Sequence, residues 1–214
     1  MIRLPRRPEI DEHSLKLMVG IVALSLANLT TWFAGKPLES ISASYYEVGL
    51  SQTTFIGFLF AAASFFLAYN GQSRREMAAS KVAAVAGLGV AIFPCNCPPH
   101  PAQPPMHYAS AAVLFLALAY LCYCFFQRAW AKAHTQARAR GAIYVACGLA
   151  MLASLLTLTV DRFTGNHLRA LDPRLTYHAE YLCLLAFGIS WLTASRILPV
   201  LTRADERISL VGKA

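Results

Sequence analysis

Charge is scarce in this sequence. Only 14% of its 214 residues are Asp, Glu, Lys or Arg, against about a quarter in a soluble domain. A chain so poor in ionic side chains cannot clothe a water-soluble surface, which excludes a disordered tail, a coiled coil and most soluble enzymes. Cysteine is scarce as well. Six residues are few for a disulfide scaffold of this length. No glycine-rich phosphate loop, nucleophile elbow, Cys-x-x-Cys-His or His-Glu-x-x-His is present, so the motifs that announce nucleotide, acyl-transfer, haem or zincin chemistry are missing. What remains is apolar: 57% of the chain, with a mean hydropathy of +0.46. The net charge of +8 would fit a nucleic-acid partner if the basic residues shared one face. They fall between apolar runs instead, so no nucleic-acid partner is expected.

A bilayer core about 30 Å thick needs roughly 20 apolar residues per helix. Six segments meet or approach that length, at about 15–34, 54–69, 78–93, 107–126, 142–160 and 177–198. The second and third are short, so their ends must extend into the interface or their helices stand upright. The expected fold is therefore all-α: a single polytopic bundle of six transmembrane helices, with no room for a separate soluble domain. Basic residues orient it. Arg3, Arg6, Arg7, Lys16, Arg74, Arg75, Lys81, Arg128, Lys132, Arg138, Arg140, Arg196, Arg203, Arg207 and Lys213 fall on one side, and Lys36, Arg162, Arg169 and Arg174 on the other. Both termini are expected in the cytoplasm. The first apolar stretch lacks a small-x-small cleavage site and reads as an uncleaved span. Ala78, Ala79, Ala83, Ala84, Ala86, Gly87 and Gly89 make the third span a small-residue rod, which predicts close packing and a central place in the bundle.

Polar side chains within spans cost energy in hydrocarbon unless paired, so they point to function. Ser25, Asn28 and Thr31 share one face of the first span, and Ser154, Thr157 and Asp161 one face of the fifth. Glu180 is the deepest acid, about two turns into the sixth span. His107 opens the fourth. Two outer connections add Ser40, Ser42, Tyr45 and Tyr46, then Cys95, Cys97 and His100 within a proline-rich run. All but the first-span stripe lie in the outer half, which predicts an outward-facing polar pocket lined by Ser40, Ser42, Tyr45, Tyr46, His107, Asp161 and Glu180. No acid is evident in the inner half.

Each of these residues has alternatives. Glu180 could be a general base, a metal ligand, a ligand-binding acceptor, or a carboxyl that ties the bundle together. Cys95 and Cys97 could bind metal with His100, form a local disulfide or stay free. Zinc or copper would suit thiolate and imidazole, with His107 and His178 as further ligands. His178 and Glu180 are two residues apart, about 200° around a helix, and cannot face one ion. The remaining cysteines, Cys122, Cys124, Cys147 and Cys183, read as packed thiols in spans.

A set of short motifs in fixed order resembles a family of six-span bacterial membrane proteins without an established activity. These are Ser40-Ile-Ser-Ala-Ser-Tyr-Tyr46, Phe55-Ile-Gly57, Tyr69-Asn-Gly71, Phe93-Pro94, His107-Tyr-Ala-Ser-Ala-Ala112, Arg140-Gly-Ala-Ile-Tyr144 with Cys147-Gly148, and Glu180 with Phe187-Gly-Ile-Ser-Trp191. The Ser-rich loop feeding the second span is also loosely similar to the DRAM-like six-span group. The resemblance implies a multi-pass protein of the bacterial inner (plasma) membrane. It also implies an Arg-Asp pair before the Phe-x-Gly, where this chain has Gln52-Thr53. Ser40 or Ser42, Asp161, His107 and His178 supply ingredients like those of membrane ceramidase-type hydrolases, but the His-x-x-x-His pair of that group is missing.

Three functional expectations follow. The chain binds a lipid or small amphiphile, or packs as an accessory subunit against other membrane proteins. Alternatively, it is a metal-dependent hydrolase of a lipid amide or ester, in which metal lowers the pKa of a bound water, Glu180 is the base and Tyr45 or Tyr46 steadies the oxyanion. A third expectation is proton-coupled transport through Glu180. The sequence does not decide whether the chain is an enzyme.

Overall fold

The computed structural model describes residues 11–97, 100 and 105–206. Among them every regular element is helical. Six long helices form: α1 (Glu12–Ala34), α2 (Leu50–Ala68), α3 (Arg74–Ile92), α4 (Met106–Trp130), α5 (Thr135–Phe163) and, after the short α6 (His167–Leu171), α7 (Leu175–Ala194). Local chemistry sets their starts and stops. The Asp11 carboxylate accepts the Ser14 N–H at 3.0 Å to open α1, and the Ser73 hydroxyl accepts the Glu76 N–H at 3.1 Å to open α3, as N-caps do. Helix α1 ends where Gly35 turns left-handed at φ 64°, a conformation that costs glycine no Cβ clash.

Helices α2 and α3 begin about four residues before the apolar stretches at 54 and 78, so each gains a full turn beyond the expected span. Four helices, α1, α2, α4 and α5, are long and apolar enough to cross a bilayer, which makes this a membrane-embedded protein. Helix α3 carries Arg74, Arg75, Glu76 and Lys81 among alanines, and α7 carries His178 and Glu180, so these two are less apolar.

Each long helix packs against its chain neighbours, and α7 closes back on α1. The result is a ring in the order α1-α2-α3-α4-α5-α7. The small-residue α3 is a member of this ring, between α2 and α4, rather than its centre. Its small side chains allow close approach on two flanks, while Val82 and Val85 face outward. Helices α1 and α7 approach closely enough for backbone to meet backbone. A Cβ added at Gly20 would stand 2.9 Å from the Leu192 nitrogen, and one at Gly188 2.5 Å from Leu24 Cγ. Only glycine lets two helix backbones meet this closely.

The ring has two distinct ends. At the end where α1 starts and α7 finishes, Trp191 is fully buried. Phe66, Tyr69, Phe125 and Phe187 surround it at centroid distances of 5.2, 5.2, 5.6 and 6.0 Å, all in the edge-on geometry that aromatic quadrupoles favour. Midway along the ring lies a small apolar cavity of about 30 Å³, lined from five helices by side chains such as Leu26, Phe58, Phe66, Leu118 and Phe187. At the other end the polar residues singled out in the sequence close the ring.

Candidate functional site

The polar closure is built on Glu180. Its Oε2 accepts the Ile41 N–H at 2.5 Å and the Ser42 N–H at 3.2 Å, and its Oε1 accepts the Ser42 hydroxyl at 2.7 Å. These donors open a 3-10 turn (Ser42–Tyr46) that has no side-chain cap of its own. Glu180 therefore caps, from a different helix, the turn that carries the Ser-rich motif. The same connection is stitched to α7 by the Tyr177 N–H on the Glu39 carbonyl at 3.1 Å and by Arg174 Nε on the Leu38 carbonyl at 3.3 Å.

The second connection lies against the first. Cys95 and Cys97 form a disulfide. A disulfide sulfur has no proton to give, so the Ser40 hydroxyl is the donor in its 3.7 Å contact with Cys97 Sγ. The Cys95 sulfur rests 3.5 Å from the Ser42 carbonyl oxygen. Tyr46 donates its hydroxyl to the Cys95 carbonyl at 2.8 Å and stacks on His100 at 3.7 Å between centroids. Tyr45 is turned away, with its hydroxyl on the Ile92 carbonyl at 3.4 Å. Gln52, where the resemblance implies an arginine, donates to the Tyr45 carbonyl.

Three expected pocket or metal residues stand apart from this network. His107 is buried and hydrogen-bonds through Nδ1 to the Phe93 carbonyl at 2.8 Å. A carbonyl only accepts, so Nδ1 carries the proton, and among the described residues the buried Nε2 has no hydrogen-bond partner. Asp161, 0% exposed, accepts the Leu168 N–H at 2.9 Å and the Arg169 N–H at 3.1 Å, with Arg169 Nε 3.6 Å from its second oxygen. It caps α6, much as Glu180 caps the 3-10 turn. His178 is exposed and pairs with Asp172 at 2.9 Å, turned away from Glu180 as the 200° step requires. That hydrogen bond, with the Arg174 N–H, holds the Asp172 carboxyl below its ordinary value. Among the described residues no group of three or more His, Cys, Asp or Glu is arranged to hold a metal ion.

Residues outside the expected pocket form a second arrangement on the α1/α7 flank. Arg174 lies over the Tyr177 ring at 4.4 Å. Tyr177 shares a hydrogen bond with Thr31 at 3.1 Å. One turn deeper, Tyr181 donates to Asn28 Oδ1 at 3.3 Å, and Tyr177 and Tyr181 stack at 6.0 Å. Asn28 is exposed on the bundle surface. Below and around this pair a shallow cleft is lined by Ala23, Leu24, Ala27, Leu184 and Leu185. Thr31 and Asn28 already formed a one-sided stripe in the sequence. Their tyrosine partners on α7 did not stand out, because aromatics near a boundary read first as a membrane belt.

The other end holds an acid that periodicity missed. Glu76 is 2% exposed. It accepts from the Tyr69 hydroxyl, from the Gln72 N–H at 3.0 Å and from Arg128 at 2.5 Å. Lys16, also buried, lies 5.0 Å over the Tyr69 ring and pairs with Glu12 at 3.2 Å. One signal was available: Ser73-x-x-Glu76 has the spacing of a capping box, which moves the helix start ahead of the apolar stretch and Glu76 into the bundle. Comparison with known protein families, curated proteins and solved structures finds no match for this chain.

Proposed function

We propose that this chain is a six-span protein of a bacterial inner membrane, with both termini in the cytoplasm, and that its α1/α7 flank binds a membrane lipid or small amphiphile. Two features support six spans. The antiparallel ring includes α3 and α7 on the same footing as the four most apolar helices. Both also turn apolar side chains outward, Val82 and Val85 from α3 and Leu182, Leu185 and Ile189 from α7.

The lipid reading rests on the graded chemistry of the α1/α7 flank, of which the cleft is the deeper part. A cation, Arg174, comes first, then the Tyr177–Thr31 pair, then the Tyr181–Asn28 pair, then leucines and alanines. An amphiphile has the same gradient, from charged head through polar ester or hydroxyl groups to hydrocarbon. Asn28 accepts from Tyr181 and donates to the Leu24 carbonyl at 2.8 Å, which leaves its second amide hydrogen for a polar group of the ligand. The hydrolase reading has less support, since Glu180 and Tyr46 are committed to backbone groups and the Ser42 hydroxyl to Glu180 itself. Transport between Glu180 and Glu76 would have to cross the apolar cavity.

Photo-cross-linking tests the lipid reading. A diazirine-bearing phospholipid in nanodiscs should label α1 and α7 peptides, and Asn28→Leu with Tyr181→Phe should cut that labelling severalfold without lowering thermal stability. Labelling spread evenly over all six long helices would overturn it.

A further inference from the structure

The last described turn of the chain, Ala204–Glu206, places one carboxylate among four nitrogen donors from three separate elements. Lys132, in the α4–α5 connection, pairs with Glu206 Oε1. Arg140 of α5 donates Nη2 to Oε2 at 3.0 Å. Arg196, just past α7, brings Nη1 to 3.9 Å from Oε1, and His134 brings Nε2 to 3.8 Å. The tautomer of His134 follows from geometry. Its Nδ1 accepts the Ala137 N–H at 3.2 Å, so the proton is on Nε2, the nitrogen that faces the carboxylate. Three permanent cations and a fourth donor thus share a single negative charge.

The two sides of this contact are held unequally. Arg140 and His134 are fixed by the bundle. Arg140 is 3% exposed and also donates to the Leu201 carbonyl. His134 is the N-cap of a 29-residue helix. Arg196 adopts φ 61°, a left-handed conformation that non-glycine residues resist. The carboxylate belongs to a three-residue turn with no buried residue, fastened by the Glu206 N–H on the Arg203 carbonyl at 3.0 Å. Arginine forks fit phosphate oxygens at least as well as carboxylate ones, and a phosphate monoester brings up to two charges where Glu206 brings one.

We propose that Lys132, His134, Arg140 and Arg196 form a binding site for a phosphoryl group, supplied by an anionic phospholipid headgroup, and that Glu206 occupies it as an internal stand-in. The proposal rests on the membrane reading only for the source of the phosphate. The site lies at the opposite end of α7 from the Tyr177–Tyr181 cleft, so variants of Asn28 leave it intact.

The test uses the full chain in phosphatidylcholine nanodiscs with and without phosphatidic acid, read by lipid retention in native mass spectrometry, with inorganic phosphate as a separate arm. Glu206→Gln removes the competing charge, and phosphatidic acid retention should rise about fivefold, the worth of one headgroup charge contact. Adding Lys132→Gln and Arg196→Gln to that variant should abolish the gain. Should inorganic phosphate protect the site with the same dependence on those cations, the site stands and its ligand is a soluble phosphate ester. Retention in Glu206→Gln that matches wild type overturns the proposal. If that variant does not fold, hydrogen exchange of the wild-type Ala204–Glu206 turn decides. Phosphatidic acid that displaces the carboxylate speeds its exchange, and unchanged exchange contradicts displacement.

Discussion

Each end of the ring holds a carboxylate, half-buried Glu180 at one and buried Glu76 at the other, and they are satisfied by different means. Glu180 is met by two backbone N–H groups and a serine hydroxyl, all from one connection. Glu76 is met by a guanidinium and a phenol, and its contacts tie α2, α3 and α4 together. The first is a cap and the second a clamp. Neutral donors orient a turn at modest cost, whereas removing one member of a buried ion pair strands the other. The Glu180 end is thus built to hold the conformation of loops, and the Glu76 end to hold helices in register.

The largest effect should come from breaking the clamp. Glu76→Ala leaves the Arg128 cation and the Tyr69 hydroxyl without their acceptor. It should cost about 2–4 kcal/mol, seen as a fall in the thermal midpoint of the whole protein in detergent. Glu180→Gln keeps the shape but turns an N–H₂ group toward donors. It should cost about 1–2 kcal/mol, and hydrogen exchange should show the loss confined to residues 39–47. A global fall equal to that of Glu76→Ala would erase the distinction between the ends.

Acid offers a third way to sharpen the contrast. Burial opposes ionisation of Glu206, but the Lys132 hydrogen bond and the charges of Arg140 and Arg196 outweigh it and bring the carboxyl from 4.5 down to about 2. A depressed carboxyl stabilises the fold fully above its unfolded value, and that contribution is lost as pH falls toward the folded one. Between pH 4.5 and about 2 the wild type should lose stability that Glu206→Gln does not, measurable as converging melting curves. The smallest effect is expected for Tyr46→Phe. It keeps the ring that stacks on His100 and loses the bond to the Cys95 carbonyl, worth about 1 kcal/mol, detectable as faster exchange around Cys95.

The positions of the six long helices were legible because apolar length and helix period coincide there. Their boundaries were less so. Ser73 and Asp11 act as caps ahead of the apolar residues, and a hydropathy pattern does not weigh a cap. Several of the expected residues do come together at one end: Ser40, Ser42, Tyr46, Cys95, Cys97, His100 and Glu180. Their partners were not legible. Glu180 bonds mainly to backbone, and backbone donors leave no trace in a residue pattern. Asp161 joins the fifth-span stripe by periodicity, yet its Oδ1 is spent on backbone N–H groups of α6, a helix too short to show in the sequence. Glu76 looked like part of a basic connection because its burial depends on α4 supplying Arg128, a contact made across 52 residues of chain.

The α1/α7 cleft is tested most directly by imaging the protein in a lipid nanodisc by electron cryomicroscopy. The account predicts ordered density along α1 and α7, with its polar end beside Arg174, Tyr177 and Thr31 and its tail against Leu184 and Leu185, weakened in Asn28→Leu. A cleft as featureless as the outer faces of α4 and α5, in wild type and variant alike, would contradict it.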